Sequence, residues 1–185
     1  MLHLATTLRV ELTINNEPLG VFGIAQRVVL DKRAGESLTH VLLKLLGFAL
    51  FFHPELQIEA SAGQHYKPDL VRFDAQGNPL QWIDCGKISP AKLEKIVAKN
   101  RRATFQIIKP GEKEVRTFVQ TMAGMIEDRE RVLFVGFRAG FLDEFAELLT
   151  DRARLIATVI GEHDFLYLDV GGQVLQTPII KLRPA

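Results

Sequence analysis

The stretch that decides the fold is residues 67–87, KPDLVRFDAQGNPLQWIDCGK. Two short apolar runs flank the turn sequence GNP, and this pattern predicts a β-hairpin. Asp69 opens the first run and Asp84 ends the second. If the turn is centred between Gln76 and Gly77, Asp69 faces Asp84 with β-carbons about 5 Å apart. Like charges that face each other across paired strands repel, so the pair needs either water or a cation.

Two interpretations of this acidic pair follow from the hairpin. In the predicted register both carboxylates lie at the end of an apolar face that includes Val71 and Trp82. Mg²⁺ binds oxygen ligands and often takes only one or two carboxylates plus water, so the pair would form half of a magnesium site. Alternatively, a one-residue bulge at Gly77 would send the aspartates to opposite faces, where water would solvate them. Spacing alone favours this second interpretation.

The composition predicts an ordinary globular protein. The chain has 185 residues, of which 47% are hydrophobic, and this predicts a single domain with a proper core. Its 23 basic and 22 acidic residues nearly cancel, so any signal for a nucleic-acid partner must come from local clusters of charge. The single cysteine, Cys85, excludes a disulfide within the chain. No apolar run is long enough to span a bilayer, and we expect a cytoplasmic protein without a membrane partner.

Apolar periodicity predicts a mixed α/β order around the hairpin. The predicted helices are residues 36–52, 90–100, 114–126 and 141–149. The predicted strands outside the hairpin are residues 8–14, 20–30, 56–60, 103–108, 132–135, 153–160, 165–170 and 174–182. We therefore expect one domain, 1–185, with a mixed central sheet and antiparallel strands added from both termini. Its parts would be N-terminal strands 1–31, a core 36–108, a peripheral α-β-α segment 112–150 and C-terminal strands 151–185.

Several motifs in this order resemble a known family. Pro68-Asp69, the hairpin, and Asp84 with a lysine close behind are similar to the signature of PD-(D/E)xK nucleases. The α-β-β-β-α-β order is similar to the restriction-endonuclease-like core of that superfamily, with Glu36 at the start of its first helix. Within the superfamily, the chain most resembles the YaeQ-like proteins. That resemblance is carried by Glu36-Ser37, then LLKLLGFAL, WIDCG, a basic helix, TFQII, and ATVI at 157–160.

The resemblance implies a nuclease that uses Mg²⁺, or Mn²⁺ in its place. Asp69 and Asp84 would be metal ligands, and the backbone carbonyl of Cys85 would be a third. Glu36 would contribute to the metal site directly or through water. In active members of the superfamily, a lysine two residues beyond the second carboxylate positions the attacking water.

This lysine is where the chain departs from the family pattern. Gly86 occupies the expected position, and Lys87 comes one residue later. Strand alternation points Lys87 away from the face of Asp84, although a glycine bulge would swing it back. A lysine of the next helix could serve instead, with Lys95 as first choice and Lys92 as second. If neither arrangement holds, the site would cleave nothing.

A basic segment follows the hairpin. Against the single acid Glu94, it contains six cations: Lys87, Lys92, Lys95, Lys99, Arg101 and Arg102. Such a segment suits the phosphate backbone of a nucleic acid, and Lys92, Lys99, Arg101 and Arg102 are the predicted substrate contacts. A solvated helix face would give the same pattern. Two functions therefore stay open: a Mg²⁺-dependent nuclease or phosphodiesterase, and an inactive module of the same fold that binds nucleic acid or protein.

Overall fold

The computed structural model describes residues 7–184, which form two mixed β-sheets and four α-helices. The helices are α1 (Leu38–Leu50), α2 (Pro90–Lys99), α3 (Glu112–Met122) and α4 (Phe141–Leu148). The strands are β1 (Thr7–Asn16), β2 (Val21–Asp31), β3 (Gln57–Ile58), β4 (Leu70–Phe73), β5 (Pro79–Cys85), β6 (Thr104–Ile108), β7 (Val132–Gly136), β8 (Arg152–Ile160), β9 (Phe165–Val170), β10 (Gln173–Pro178) and β11 (Ile180–Leu182). The predicted mixed α/β class is confirmed.

The terminal strands form a sheet of their own, which we call sheet A, in the order β10-β9-β8-β1-β2. They were expected as antiparallel additions to the central sheet, and this expectation is corrected in two respects. They build a separate layer, and β8 pairs with β1 in parallel. Parallel pairing is possible because the four helices and strands β3 to β7 lie between β2 and β8 in the chain and form a long crossover.

The second sheet, sheet B, has the order β11-β7-β6-β5-β4-β3. Its central strands β5, β6 and β7 are parallel and covered on both faces, which explains their nearly continuous apolar runs. One face shares a core with α1, α4 and sheet A. The other face packs against α2 and α3. The segment 112–150, predicted as peripheral, therefore contributes an interior strand, β7.

Helix α1 is the centre of the molecule. Ser37 caps it by accepting a hydrogen bond from the His40 N–H at 3.2 Å, and it ends shortly before Pro54. Every residue from 41 to 50 is buried, because sheet A covers one side of the helix and sheet B the other. The only charged residue in that stretch is Lys44. Within residues 7–184, no helix is long and apolar enough to cross a membrane.

The last predicted strand, 174–182, is two strands in the structure. β10 pairs with β9 in sheet A, whereas β11 pairs with β7 in sheet B. The break falls at Ile179, whose N–H donates to the Asp164 carbonyl at 2.6 Å, directly after Pro178. Proline has no N–H to continue a ladder, so the chain can leave one sheet there and enter the other. This crossing ties the two sheets together.

Helix α3 packs so closely on sheet B at Gly136 that no space is left for a side chain there. A β-carbon there would lie 2.5 Å from Val115 Cγ2 and 2.9 Å from the Gly111 carbonyl oxygen. Because part of this clash is with backbone, we expect Gly136→Ala to lower the free energy of unfolding by about 1–3 kcal/mol in urea denaturation. In the control Gly47→Ala, the new β-carbon meets only side-chain atoms, with the flexible tip of Ile108 at 2.7 Å, Leu70 Cδ1 at 3.2 Å and Ile83 Cγ2 at 3.7 Å. Equal losses in both variants would contradict this account.

Candidate functional site

The hairpin of β4 and β5 has the predicted register beside the aspartates. Leu70 pairs with Ile83 and Val71 pairs with Trp82. Directly before β4, the Asp69 N–H donates to the Ile83 carbonyl at 3.0 Å, which continues the ladder towards Asp84. A bulge after Arg72 changes the register only near the turn. A turn centred between Gln76 and Gly77 would place Asp74 opposite Pro79, but in the structure Phe73 faces Pro79, so this part of the predicted register is wrong. The bulge lies too far from the acidic pair to separate it.

Asp84 is a buried carboxylate on the face of sheet B that packs against α2. It is only 4% exposed. Burial and the nearby charge of Asp69 raise the pKa of Asp84 to about 6, and the Lys92 ammonium opposes this rise. The Lys92 Nζ lies 3.3 Å from Asp84 Oδ2. The Trp82 indole N–H also favours the charged carboxylate, although it forms no hydrogen bond within residues 7–184. A buried acid in this setting favours a proton or a cation at its oxygens.

Asp69 is held from two sides. Its Oδ2 accepts a hydrogen bond from the Cys85 N–H at 2.7 Å. Its Oδ1 lies 3.0 Å from His40 Nε2, and the other ring nitrogen of His40 lies 3.3 Å from Glu36 Oε1. The bond with Asp69, reinforced by both acids' charges, raises the pKa of His40 despite its partial burial. Glu36 therefore connects to Asp69 through His40, a residue to which the sequence argument assigned no role in the site.

Lys44 binds two glutamates, Glu36 and Glu59, from inside the core. Its side chain is 0% exposed, and Nζ lies 2.7 Å from Glu36 Oε1 and 2.6 Å from Glu59 Oε1. Burial disfavours the ammonium, but the hydrogen bonds with both glutamates outweigh it and raise the pKa of Lys44. Glu59 also pairs with Arg33 and has a positive φ of 52°, which is uncommon for a residue other than glycine. The spacing of Glu36, His40 and Lys44, four residues apart, was the sequence signal for one shared stripe.

The predicted lysines take different places. Lys92, the second choice, reaches Asp84, whereas Lys95, the first choice, is exposed on α2. Lys87 is exposed as well, and among residues 7–184 neither Lys87 nor Lys95 contacts an aspartate. Gly86 does adopt a left-handed conformation, with φ of 72°. That turn presents the Gly86 carbonyl to a different lysine.

That lysine is Lys109, at the end of β6. Its Nζ donates to the Gly86 carbonyl at 2.8 Å and lies 3.8 Å from the centre of the Phe118 ring. Burial lowers the pKa of Lys109 to about 8, although the charge of Asp84 works against this shift. The sequence signal was a lysine closing an apolar strand, in TFQIIK. Beside it, a cleft of about 890 Å³ extends past Lys87 and His40.

The predicted substrate contacts lie on and after α2. Lys99 and Arg101 are exposed, and Arg102 lies 3.8 Å from Asp74 across the hairpin. Lys92 is partly buried against Asp84. The segment therefore offers an exposed basic surface next to the acidic pair, with one of its cations already facing that pair.

The donor set at the acidic pair suits a hard cation with several water ligands. Among residues 7–184, no group of three or more His, Cys, Asp or Glu side chains is arranged to hold a metal ion. The Cys85 thiol packs in the core with Leu70 and Ile83, and burial raises its pKa. Only the backbone of Cys85 therefore lies at the acidic pair, where its N–H contacts Asp69. Two carboxylates, one carbonyl and water would match the ligand preference of Mg²⁺, whereas a structural zinc site needs cysteine or histidine ligands.

The comparisons with known proteins agree on one family. Residues 1–178 match the family model described as YaeQ protein. The fold is similar to that of the YaeQ protein from Xanthomonas axonopodis pv. citri, with 19% identity, a TM-score of 0.83, and coverage of 98% of this chain and 99% of that chain. It is also similar to the YaeQ protein from Pseudomonas syringae, with 15% identity, a TM-score of 0.80, and 96% of each chain covered. A comparison with curated protein sequences gives no match.

Proposed function

Because this chain belongs to the YaeQ family, we propose that it is a Mg²⁺-dependent nuclease or phosphodiesterase of the PD-(D/E)xK superfamily. Its restriction-endonuclease-like core would consist of α1, β3, β4, β5, α2 and β6, in the α-β-β-β-α-β order. The substrate would be a nucleic acid held along the exposed basic surface of residues 87–102. The single cysteine suits a cytoplasmic location, where such a substrate is present.

One observation carries this proposal: the hairpin register brings Asp69 to the end of β5 that holds Asp84, where Asp69 Oδ2 accepts from the Cys85 N–H at 2.7 Å, and the charge of Asp69 raises the pKa of Asp84. A protein gains nothing in stability from keeping two such acids together at neutral pH. A bound divalent cation would turn their repulsion into attraction. Neighbouring groups also support the proposal, since Lys92 and His40 each contact one member of the pair.

The roles of the residues follow from their contacts. A bound Mg²⁺ would activate water and neutralise charge on the phosphate. Asp69 and Asp84 would hold it, with the Cys85 carbonyl as a further ligand and Glu36 acting through His40. The Lys92 ammonium, 3.3 Å from Asp84, would leave that carboxylate and position the attacking water or a phosphate oxygen. His40 would fix the orientation of Asp69 in the manner of an outer-sphere residue.

A second candidate function is a module that keeps this architecture and binds nucleic acid or protein without cleaving it. It is favoured by the exposure of Lys87 and Lys95 and by the existing bonds between Asp69 and His40 and between Asp84 and Lys92. In such a module these contacts would serve only to neutralise buried charge. Cleavage assays separate the two functions.

We expect the wild-type protein to bind Mg²⁺ in isothermal titration calorimetry, and Asp69→Ala and Asp84→Ala to lose this binding while keeping the fold. The physical reason is that each variant removes half of the carboxylate charge that the ion would neutralise. Glu94→Gln is the matched control, because it removes an exposed carboxylate from the neighbouring helix α2. Unchanged titration curves in both aspartate variants would rule out the metal site.

Cleavage is then tested with labelled single-stranded, double-stranded and branched DNA and RNA in Mg²⁺ or Mn²⁺. We expect Lys92→Met to lower the cleavage rate by about 10²-fold or more, as for other groups that stabilise developing charge. Lys95→Met, three residues along the helix and exposed on the same basic surface, is expected to weaken substrate binding but to leave the cleavage rate at saturating substrate nearly unchanged. Binding that persists without cleavage and does not respond to the aspartate variants would favour the non-catalytic module.

A further inference from the structure

The outer face of sheet A carries a cluster of arginines that the candidate site does not use. Along β1, the residues directed towards α1 are buried and the alternate residues, such as Arg9 and Glu11, are exposed. The register places Arg9 beside Arg152 of β8. It places Glu11 between Arg27 of β2 and Arg154 of β8. These four arginines, which we call the arginine face, surround a shallow depression of about 480 Å³.

Four arginines against Glu11 give the arginine face a net positive charge. Glu11 pairs with Arg154 at 3.5 Å, but both side chains are well exposed, and such pairs stabilise little. Within residues 7–184, the side chains of Arg9, Arg27 and Arg152 form no hydrogen bond or ion pair. Arg9 and Arg152 sit directly across from each other on adjacent strands, where like charges repel. Guanidinium groups in this arrangement match the oxygens of phosphate groups, which they bind in a bidentate manner.

Aromatic rings lie on the same sheet face. Tyr167 of β9 pairs with Thr158 of β8, and its ring centre is 5.9 Å from that of Phe165. Tyr167 is 38% exposed. Thr158 lies four positions along β8 from Arg154, which is roughly 13 Å along a strand. A few nucleotides of an extended single strand span that distance.

We propose that the outer face of sheet A binds single-stranded nucleic acid. The arginine face holds phosphates, and Tyr167 stacks on an unpaired base. A sheet face with an exposed ring suits single strands, because bases within a duplex cannot stack on a side chain. This surface is separated from Asp84 by the α1 layer and by sheet B, so it does not depend on the proposed metal site.

The test uses the whole protein and a fluorescein-labelled oligonucleotide of about 12 nucleotides, as single-stranded DNA or RNA, in a fluorescence anisotropy titration. EDTA is present throughout, so that the result is independent of Mg²⁺ binding and cleavage. We expect Arg9→Ala/Arg152→Ala to weaken binding about tenfold or more at low salt. Each phosphate contact contributes about 0.7 to the slope of log affinity against log salt, so losing two lowers this slope by about 1.4. Tyr167→Ala is expected to weaken binding about fivefold or more, and Tyr167→Phe to retain it.

Arg116→Ala/Arg129→Ala is the matched control, since it removes the same charge from exposed positions at α3 and beyond it. Arg27→Ala/Arg154→Ala repeats the test should the first double variant fail to fold, which circular dichroism reports. The proposal is overturned if an arginine-face variant binds the oligonucleotide as tightly as the control does. It is equally overturned if duplex is preferred, or if phosphatidylserine vesicles bind and the oligonucleotides do not. If the wild-type protein does not bind Mg²⁺ in calorimetry, that result counts only against the proposed nuclease and not against this surface.

Discussion

Lys44→Met is expected to lower the free energy of unfolding by about 3–5 kcal/mol, which corresponds to a melting temperature lower by about 6–20 °C. The methionine fills much of the space of the lysine stem, so the loss is mainly electrostatic. Without the ammonium, Glu36, which is 9% exposed, and Glu59 lose bonds of 2.7 and 2.6 Å. The value should fall near the lower end of the range, because Arg33 still pairs with Glu59. Urea unfolding followed by circular dichroism measures it.

Two further variants decide whether the electrostatic explanation is correct. Lys95→Met removes an exposed lysine from α2 and should change stability by no more than about 0.5 kcal/mol. The triple variant Lys44→Met/Glu36→Gln/Glu59→Gln removes all three charges and should recover much of the loss. A Lys44→Met protein as stable as Lys95→Met would show that the buried ammonium does not stabilise the fold. A triple variant as unstable as the single one would point to packing.

Asp84→Asn is expected to make the protein more stable at neutral pH in the absence of divalent cations. The pKa of Asp84 is raised from 3.8 to about 6, so the folded state holds a proton that the unfolded state releases. The stability that this proton confers is full below about pH 4 and is lost as the pH rises through 6. An asparagine does not ionise and escapes this loss. Allowing for the lost Lys92 pair, we expect a gain of about 1–3 kcal/mol at pH 7.5 and none near pH 4.

The measurement is a pair of thermal melts in EDTA at pH 7.5 and pH 4. Asp74→Asn, on the same hairpin, serves as a control that is expected to change stability at neutral pH in the opposite direction. Hydrogen bonds from Asn78 lower the pKa of Asp74, so its carboxylate stabilises the fold at neutral pH and loses that effect only in stronger acid. Asp84→Asn should also abolish any stabilisation of the protein by Mg²⁺. A wild-type protein that is more stable than Asp84→Asn at pH 7.5 without metal would contradict the raised pKa.

The candidate site could be predicted only in part. Strand alternation and the short turn place Asp69 opposite Asp84, because hairpin pairing depends on residues near each other in the chain. The Ser89 cap likewise predicts the start of α2, since the Ser89 hydroxyl accepts from the Lys92 N–H. The lysine could not be assigned in this way. Lys92 and Lys95 differ by less than one helical turn, and the crossing of α2 over sheet B decides which one reaches Asp84.

The amino-acid sequence by itself determined the hairpin register beside the aspartates, the helices and most strands, and membership of the YaeQ family. These follow from periodicity and caps, which act over a few residues, and from motif order along the chain. Tertiary structure decided that the ends form a second sheet and that 174–182 divides between two sheets. It also decided that His40 contacts Asp69, that Lys44 pairs with Glu36, and that Lys109 binds the Gly86 carbonyl. The physical reason is that each of these contacts joins residues from separate elements, and its energy exists only once the layers have packed.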